Sequence, residues 1–176
     1  MVASPVIVLQ QQWMETPPPL RGEALARYIV AVADRENLPR RVLLALAYAE
    51  STWDAQKRRP VNQSQDPAFW PDVSGGAFQQ TVAFSDEFAA RGLNPSNYPG
   101  AQITEEILSR YFDLDHAARV AARKLRTLLA RPDVGGDHLL ALFRYNKPNG
   151  TPSPQAQQNY RNGLVKTDEF LATLGS

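Results

Sequence analysis

"PRRVLLALAYAES", residues 39–51, decides the fold. Pro39 suits the first turn of a helix. From Val42 to Ala49 the segment is apolar on every side. A helix with no polar face must be surrounded by other elements, so this one is expected in the middle of a hydrophobic core. The run then stops at Glu50 and Ser51. A carboxylate at that point is either an exposed residue of the last turn, paired with nearby Arg58 or Arg59, or a partly desolvated acid placed there for chemistry.

Upstream, Leu25, Tyr28, Ile29, Val32 and Ala33 recur at helical spacing, with Arg27, Asp34 and Arg35 off the stripe. The spacing predicts a helix over about 22–37, broken by "NLP". Residues 1–20 read as an N-terminal arm or linker, because Pro17, Pro18 and Pro19 favour extended polyproline backbone. Downstream, residues 54–77 carry Pro60, Pro67, Pro71, Gly75 and Gly76 among polar residues and read as a long loop with a short turn near Phe69–Trp70. A short helix is expected over 82–91, closed by Gly92, followed by the loop "LNPSNYPGAQ". Thr104 can cap a long helix with Glu105 and Glu106 in its first turn. Its stripe is Ile107, Tyr111, Leu114, Ala118, Ala121, Leu125 and Leu128, ended by Arg131-Pro132. Asp137 can cap "HLLALFRYN", "KPNGTPSP" breaks it, and a last helix spans about 155–173. No segment alternates like a strand, so residues 21–176 are expected to form one all-α domain of about six helices.

The 176 residues are 43% hydrophobic and 21% charged, enough for one real core. The net charge of +1 sets up no large uniform field, so nucleic acid is not an expected partner, while a local basic patch stays open. Without cysteine there are no disulfides and no thiolate metal sites, and His116 and His138 read as surface or helix-end residues. No metal or cofactor is expected. No apolar run is long enough to span a membrane. The first residues lack the basic start and long apolar stretch of a signal peptide, so any work outside the cytoplasm needs help with export or release.

Burial disfavours a carboxylate's charged form. An acid held protonated near neutral pH can protonate a poor leaving group such as a glycosidic oxygen. That makes Glu50 the candidate catalytic residue. In "SGGAFQQT", residues 74–81, two glycines let backbone pass close to something bulky, and Gln79 and Gln80 offer amides suited to sugar hydroxyls and N-acetyl groups. The plainer reading is a glycine turn. In "ALFRYNKPNG", residues 141–150, a helix end delivers Tyr145 and Asn146 into a loop. Tyr145 offers a flat face and a hydroxyl to a sugar ring, or is a core aromatic with its hydroxyl at the rim. Trp53 is expected in the core or on a cleft floor, and Trp70 is a candidate for stacking on sugar.

Taken in order, these segments resemble the lysozyme-like lytic transglycosylases, the soluble transglycosylase domain family related in fold to goose-type lysozymes. "LLALAYAES" is similar to that family's helix ending in Glu-Ser. "GAFQ", residues 76–79, resembles its Gly-Leu-Met/Phe-Gln, with Ala77 in place of Leu. "FRYNKPNG" resembles its Ala-Tyr-Asn-Ala-Gly, with Lys147-Pro148 in place of Ala-Gly, and "NYRNGLV" around Tyr160 resembles its closing Tyr-containing helix. The resemblance covers about residues 22–172.

It implies a lysozyme-like helical domain that cleaves the β-1,4 bond between N-acetylmuramic acid and N-acetylglucosamine in peptidoglycan. Glu50 would protonate the leaving oxygen and then act as base toward the muramoyl 6-hydroxyl, giving a 1,6-anhydro product. The substrate's own N-acetyl group would assist, so one protein carboxylate suffices. Ser51 would orient the leaving portion or the neighbouring sugar. Gln79 and Tyr145 would hold the sugar and its N-acetyl group, and Asn146 would support Tyr145. The gap from Glu50 to "GAFQ" is longer than the family's, and it carries Asp66 and Asp72. Asp72 is either a turn residue capping "DVSGG" or an auxiliary carboxylate; across a water-sized gap from Glu50 it would make the enzyme an inverting hydrolase of muramidase type. The implied partners are peptidoglycan glycan strands and other virion or lysis proteins, in a phage lysis or virion-associated setting. A non-catalytic wall-binding module is the reading from another class.

Overall fold

The structure is a computed structural model, and it describes residues 20–55, 74–81 and 114–175. The described chain is mostly helical, as an all-α reading requires. The expected arm over residues 1–19, most of the long loop with Trp70 and Asp72, the helix expected over 82–91 and the start of the helix at Thr104 lie outside the described residues. The chain divides into two compact units, Leu20–Asp54 with Ala118–Ser176, and Met1–Pro19 with Ala55–Ala117.

In the first of these, α1 is Gly22–Arg35 and α2 is Arg40–Ser51. Six consecutive residues of α2, Val42 to Ala47, are fully buried, so the apolar run at residues 42–49 does form the core helix. It packs against α1, against α4 (His138–Asn146) and against α5 (Pro154–Thr173). The stripe of α1 is buried as expected at Leu25, Ile29, Val32 and Ala33, with Ala26 added and Tyr28 only half-buried. Helix α3, Leu114–Leu129, buries Ala118, Ala121, Leu125 and Leu128, and Ala117 and Ala122 widen the stripe. Burying each of the larger side chains contributes about 1.5–3 kcal/mol, which explains why the apolar stripes outweigh the mixed surface charges in setting the fold.

The helix ends follow local chemistry. After α3 the chain reverses through a turn that needs two left-handed residues, supplied by Gly135 (φ 57°) and Gly136 (φ 80°). The Asp137 carboxylate then accepts from the Leu140 N–H at 2.8 Å, capping α4 as its position predicts. Ser153 caps α5 in the same way by accepting from Ala156 N–H, with Pro154 in the first turn.

Helix α5 lies across α2 with Tyr160, Gly163, Leu164, Thr167 and Phe170 buried, one residue every three or four. Bidentate hydrogen bonds from Arg41 to Asp168, at 2.6 and 2.8 Å, join the start of α2 to the far end of α5. The guanidinium holds the Asp168 carboxyl below its ordinary value. Thr167 is fully buried, and among the described residues its hydroxyl has no hydrogen-bond partner. Valine has the same shape without the hydroxyl. Thr167→Val is therefore expected to raise stability by about 1 kcal/mol, or ~2–4 °C in Tm. A fall in Tm on thermal denaturation would mean that the hydroxyl is satisfied after all.

The second unit contains the "SGGAFQQT" segment. Ser74–Gly75 and Gln80–Thr81 pair antiparallel, as β1 and β2, around a four-residue turn over 76–79. Two-residue strands are too short to show alternation, so the sequence signalled only the glycine turn between them.

Candidate functional site

Four polar side chains gather where the ends of α2 and α4 meet the middle of α5. Glu50 sits in the last turn of α2 and is half-buried. The Tyr160 hydroxyl on α5 donates to Glu50 Oε1 at 2.7 Å, a contact between residues far apart in sequence. Asn146, the last residue of α4, and Tyr145 beside it are both near enough to influence the Tyr160 phenol. The site thus brings together Glu50, Tyr145 and Asn146, and adds Tyr160. The "NYRNGLV" segment marked Tyr160 only as the close of the domain. Its place in the buried stripe of α5 was the available signal, but not its partner.

Tyr160 is 2% exposed. Burial, then the nearby Glu50 charge and the hydrogen bond to it, push the phenol well above its ordinary value of 10.0. The phenol therefore stays a neutral donor throughout the working range. Below about pH 10 it is protonated in both folded and unfolded chains and its ionisation does not affect stability. Above that, the unfolded chain loses the proton and the folded chain keeps it, so stability falls by up to about 1.4 kcal/mol per pH unit. Tyr160→Phe removes this slope. Its stability deficit against wild type should shrink as pH rises from 9 to 11.5 in denaturation experiments. Parallel curves would contradict the buried phenol.

The corner after Glu50 is held against strain. Thr52 (φ 56°) and Trp53 (φ 57°) are successive left-handed residues, neither of them glycine. Each costs about 1–2 kcal/mol. Several contacts offset this. Thr52 N–H donates to Tyr48 O at 2.7 Å, closing the helix, and Gly22 N–H donates to Trp53 O at 2.8 Å. The Trp53 indole N–H donates to Leu44 O at 3.0 Å, with its ring edge-on to Tyr48 and Phe170. Trp53 is buried in the core, one of its two expected places.

Ser51 belongs to the same corner. It is fully buried, its hydroxyl donates to Ala47 O at 2.7 Å, and it accepts from Asp54 N–H at 3.1 Å. It therefore braces the turn behind Glu50, where the sequence suggested a contact with sugar. Gln79, in the other unit, is 7% exposed with φ 44°, and its side-chain amide donates to Gly76 O at 2.8 Å across the hairpin turn.

The loop after Asn146 is clamped. Arg144 donates to Gly150 O at 2.8 Å and Arg131 to Pro148 O at 3.2 Å. Both guanidiniums also pair with Asp133, which keeps that carboxyl below its ordinary value. Lys147-Pro148 thus sits in a fixed loop at the edge of the site. Among the described residues no cluster of His, Asp or Glu is arranged to hold a metal ion, and no helix is long and apolar enough to cross a membrane. No family model, curated protein or solved structure matches this chain.

Proposed function

We propose that this protein is a lysozyme-like peptidoglycan-cleaving enzyme, a lytic transglycosylase with Glu50 as its acid and base. The observation that carries the reading is the Tyr160–Glu50 hydrogen bond of 2.7 Å. It fixes a half-buried carboxyl at the end of the core helix, beside the Tyr145 and Asn146 of the third resembling motif. A solvated surface glutamate needs no such buried, neutral partner. The hydrogen bond sets the plane of the carboxyl, and the braced corner at Thr52–Trp53 sets its backbone. Positioning of this kind is what acid catalysis on a glycosidic oxygen demands.

In this mechanism Glu50 donates its proton to the oxygen between N-acetylmuramic acid and N-acetylglucosamine as the bond to the muramoyl C1 breaks. The substrate's N-acetyl group stabilises the positive charge at C1. The Glu50 carboxylate then takes the proton of the muramoyl 6-hydroxyl, whose oxygen closes on C1, and the acid is regenerated. Tyr160 holds the carboxyl in both protonation states. Tyr145 offers its ring and hydroxyl to the sugar. Work at the bacterial wall, reached with the help of phage lysis or virion proteins, belongs to the same proposal.

The test is mass spectrometry of products from purified peptidoglycan. Muropeptides ending in 1,6-anhydromuramic acid are expected. Reducing ends would replace this chemistry with hydrolysis and make Asp72 the residue to mutate next. Binding to the wall without any product would leave a non-catalytic wall-binding module.

A further inference from the structure

Most arginines of the helical unit that meet the surface are paired: Arg40 with Asp34, Arg41 with Asp168, Arg131 and Arg144 with Asp133, Arg126 with Glu36. Lys147 and Arg161, next to site residues in the chain, are exceptions, as is Arg27 on α1. Lys147 directly follows Asn146, and Arg161 directly follows Tyr160. Both are exposed, and among the described residues neither has an ion-pair partner. The Arg161 guanidinium lies 5.6 Å from the Phe143 ring centre, which holds it toward the end of α4. Lys124 adds a third cation: its ammonium sits 4.2 Å over the Tyr145 ring and donates to Tyr145 O at 3.4 Å.

We propose that Lys147 and Arg161, flanked by Lys124, form a cationic rim that binds carboxylates carried on the side arm of the muramic acid residue. The inference rests on the proposed function, which supplies the glycan strand. The sugar rings of such a strand are neutral, so its anionic groups lie on the lactyl arm. They are either the lactyl carboxylate itself or the carboxylates of a peptide attached to it. A guanidinium matches a carboxylate with two parallel N–H donors, and an ammonium meets it as a point charge. Lys147 stands where the resembling family has a small residue, so the rim would be a specificity feature of this chain.

The experiment measures binding and turnover separately. Affinity is read by fluorescence anisotropy on three labelled probes: peptide-bearing glycan strands, strands stripped by an amidase so that lactyl carboxylates are free, and a chitooligosaccharide with no carboxylate. Lys147→Gln/Arg161→Gln is compared with wild type and with the charge-preserving pair Lys147→Arg/Arg161→Lys. Two exposed charge contacts predict a loss of about tenfold in affinity at low salt, restored by the charge-preserving pair and reduced at high salt. Loss confined to peptide-bearing strands names the peptide as the source, and loss on stripped strands names the lactyl group. Unchanged affinity for both, or an equal loss on the neutral chitooligosaccharide, would overturn the rim. Product formation by wild type is scored in parallel, so the enzyme reading can fail while the rim stands, and the reverse.

Discussion

Glu50→Gln is expected to abolish product formation, with kcat reduced about 10³-fold or more, while the protein stays folded and still binds glycan strands. General acid–base catalysis by one positioned group contributes roughly 10²–10⁴-fold, and in the proposed mechanism a single carboxyl does both the protonation and the deprotonation. Glutamine has the same shape. Its amide oxygen still accepts from Tyr160, so the 2.7 Å contact keeps its geometry. The stability cost is at most about 1 kcal/mol, because the buried Tyr160 hydroxyl keeps an acceptor. Circular dichroism should thus match wild type within a few degrees of Tm, and KM should move little. Retention of a tenth or more of wild-type turnover would remove Glu50 from the chemistry. Glu50→Asp separates geometry from charge. It keeps a carboxyl but draws it back by one methylene, out of reach of the Tyr160 hydroxyl, and should lose most of the activity as well.

The largest expected effect on stability is at Gly163, in the middle of α5. A Cβ placed there would stand 2.6 Å from the Ala45 carbonyl oxygen and 3.3 Å from its carbon. Alanine favours a helix over glycine by about 1 kcal/mol, so an open site would gain from Gly163→Ala. Here the obstacle is backbone of the core helix, which has no rotamer to change. Overpacking of this kind costs about 1–3 kcal/mol or more, and at 2.6 Å the upper part of that range applies. The expected net loss is about 2 kcal/mol, a fall of ~4–8 °C in Tm for a domain of this size. Relief of the clash moves α5 away from α2 and carries Tyr160 away from Glu50, so activity should fall together with stability. A variant as stable as wild type would mean that the two helices do not meet this closely.

The features legible in the sequence were those whose cause is local. The all-apolar run at 42–49 had no polar face to offer water, so its burial followed from composition alone. The 3.6-residue stripe of α1 and the cap at Asp137 are likewise properties of a few adjacent residues. Glu50 drew attention because a carboxylate at the end of such a run is costly unless it is used or solvated. Tyr145 and Asn146 stood out because a helix ends there in a Pro/Gly loop.

Tertiary structure alone decided the partners. Tyr160 meets Glu50 only because Gly163 lets α5 approach α2 across the Ala45 carbonyl, and a stripe on α5 does not say what it faces. The inward turn of Ser51 depends on the left-handed pair Thr52–Trp53, which ordinary residues adopt only when packing over-determines them. Trp53 supplies that packing from the core. Helix identity is set by neighbours along the chain, and the sequence carries it. The surroundings of Glu50 are set by groups brought to it through space, and only the packed core determines which ones arrive.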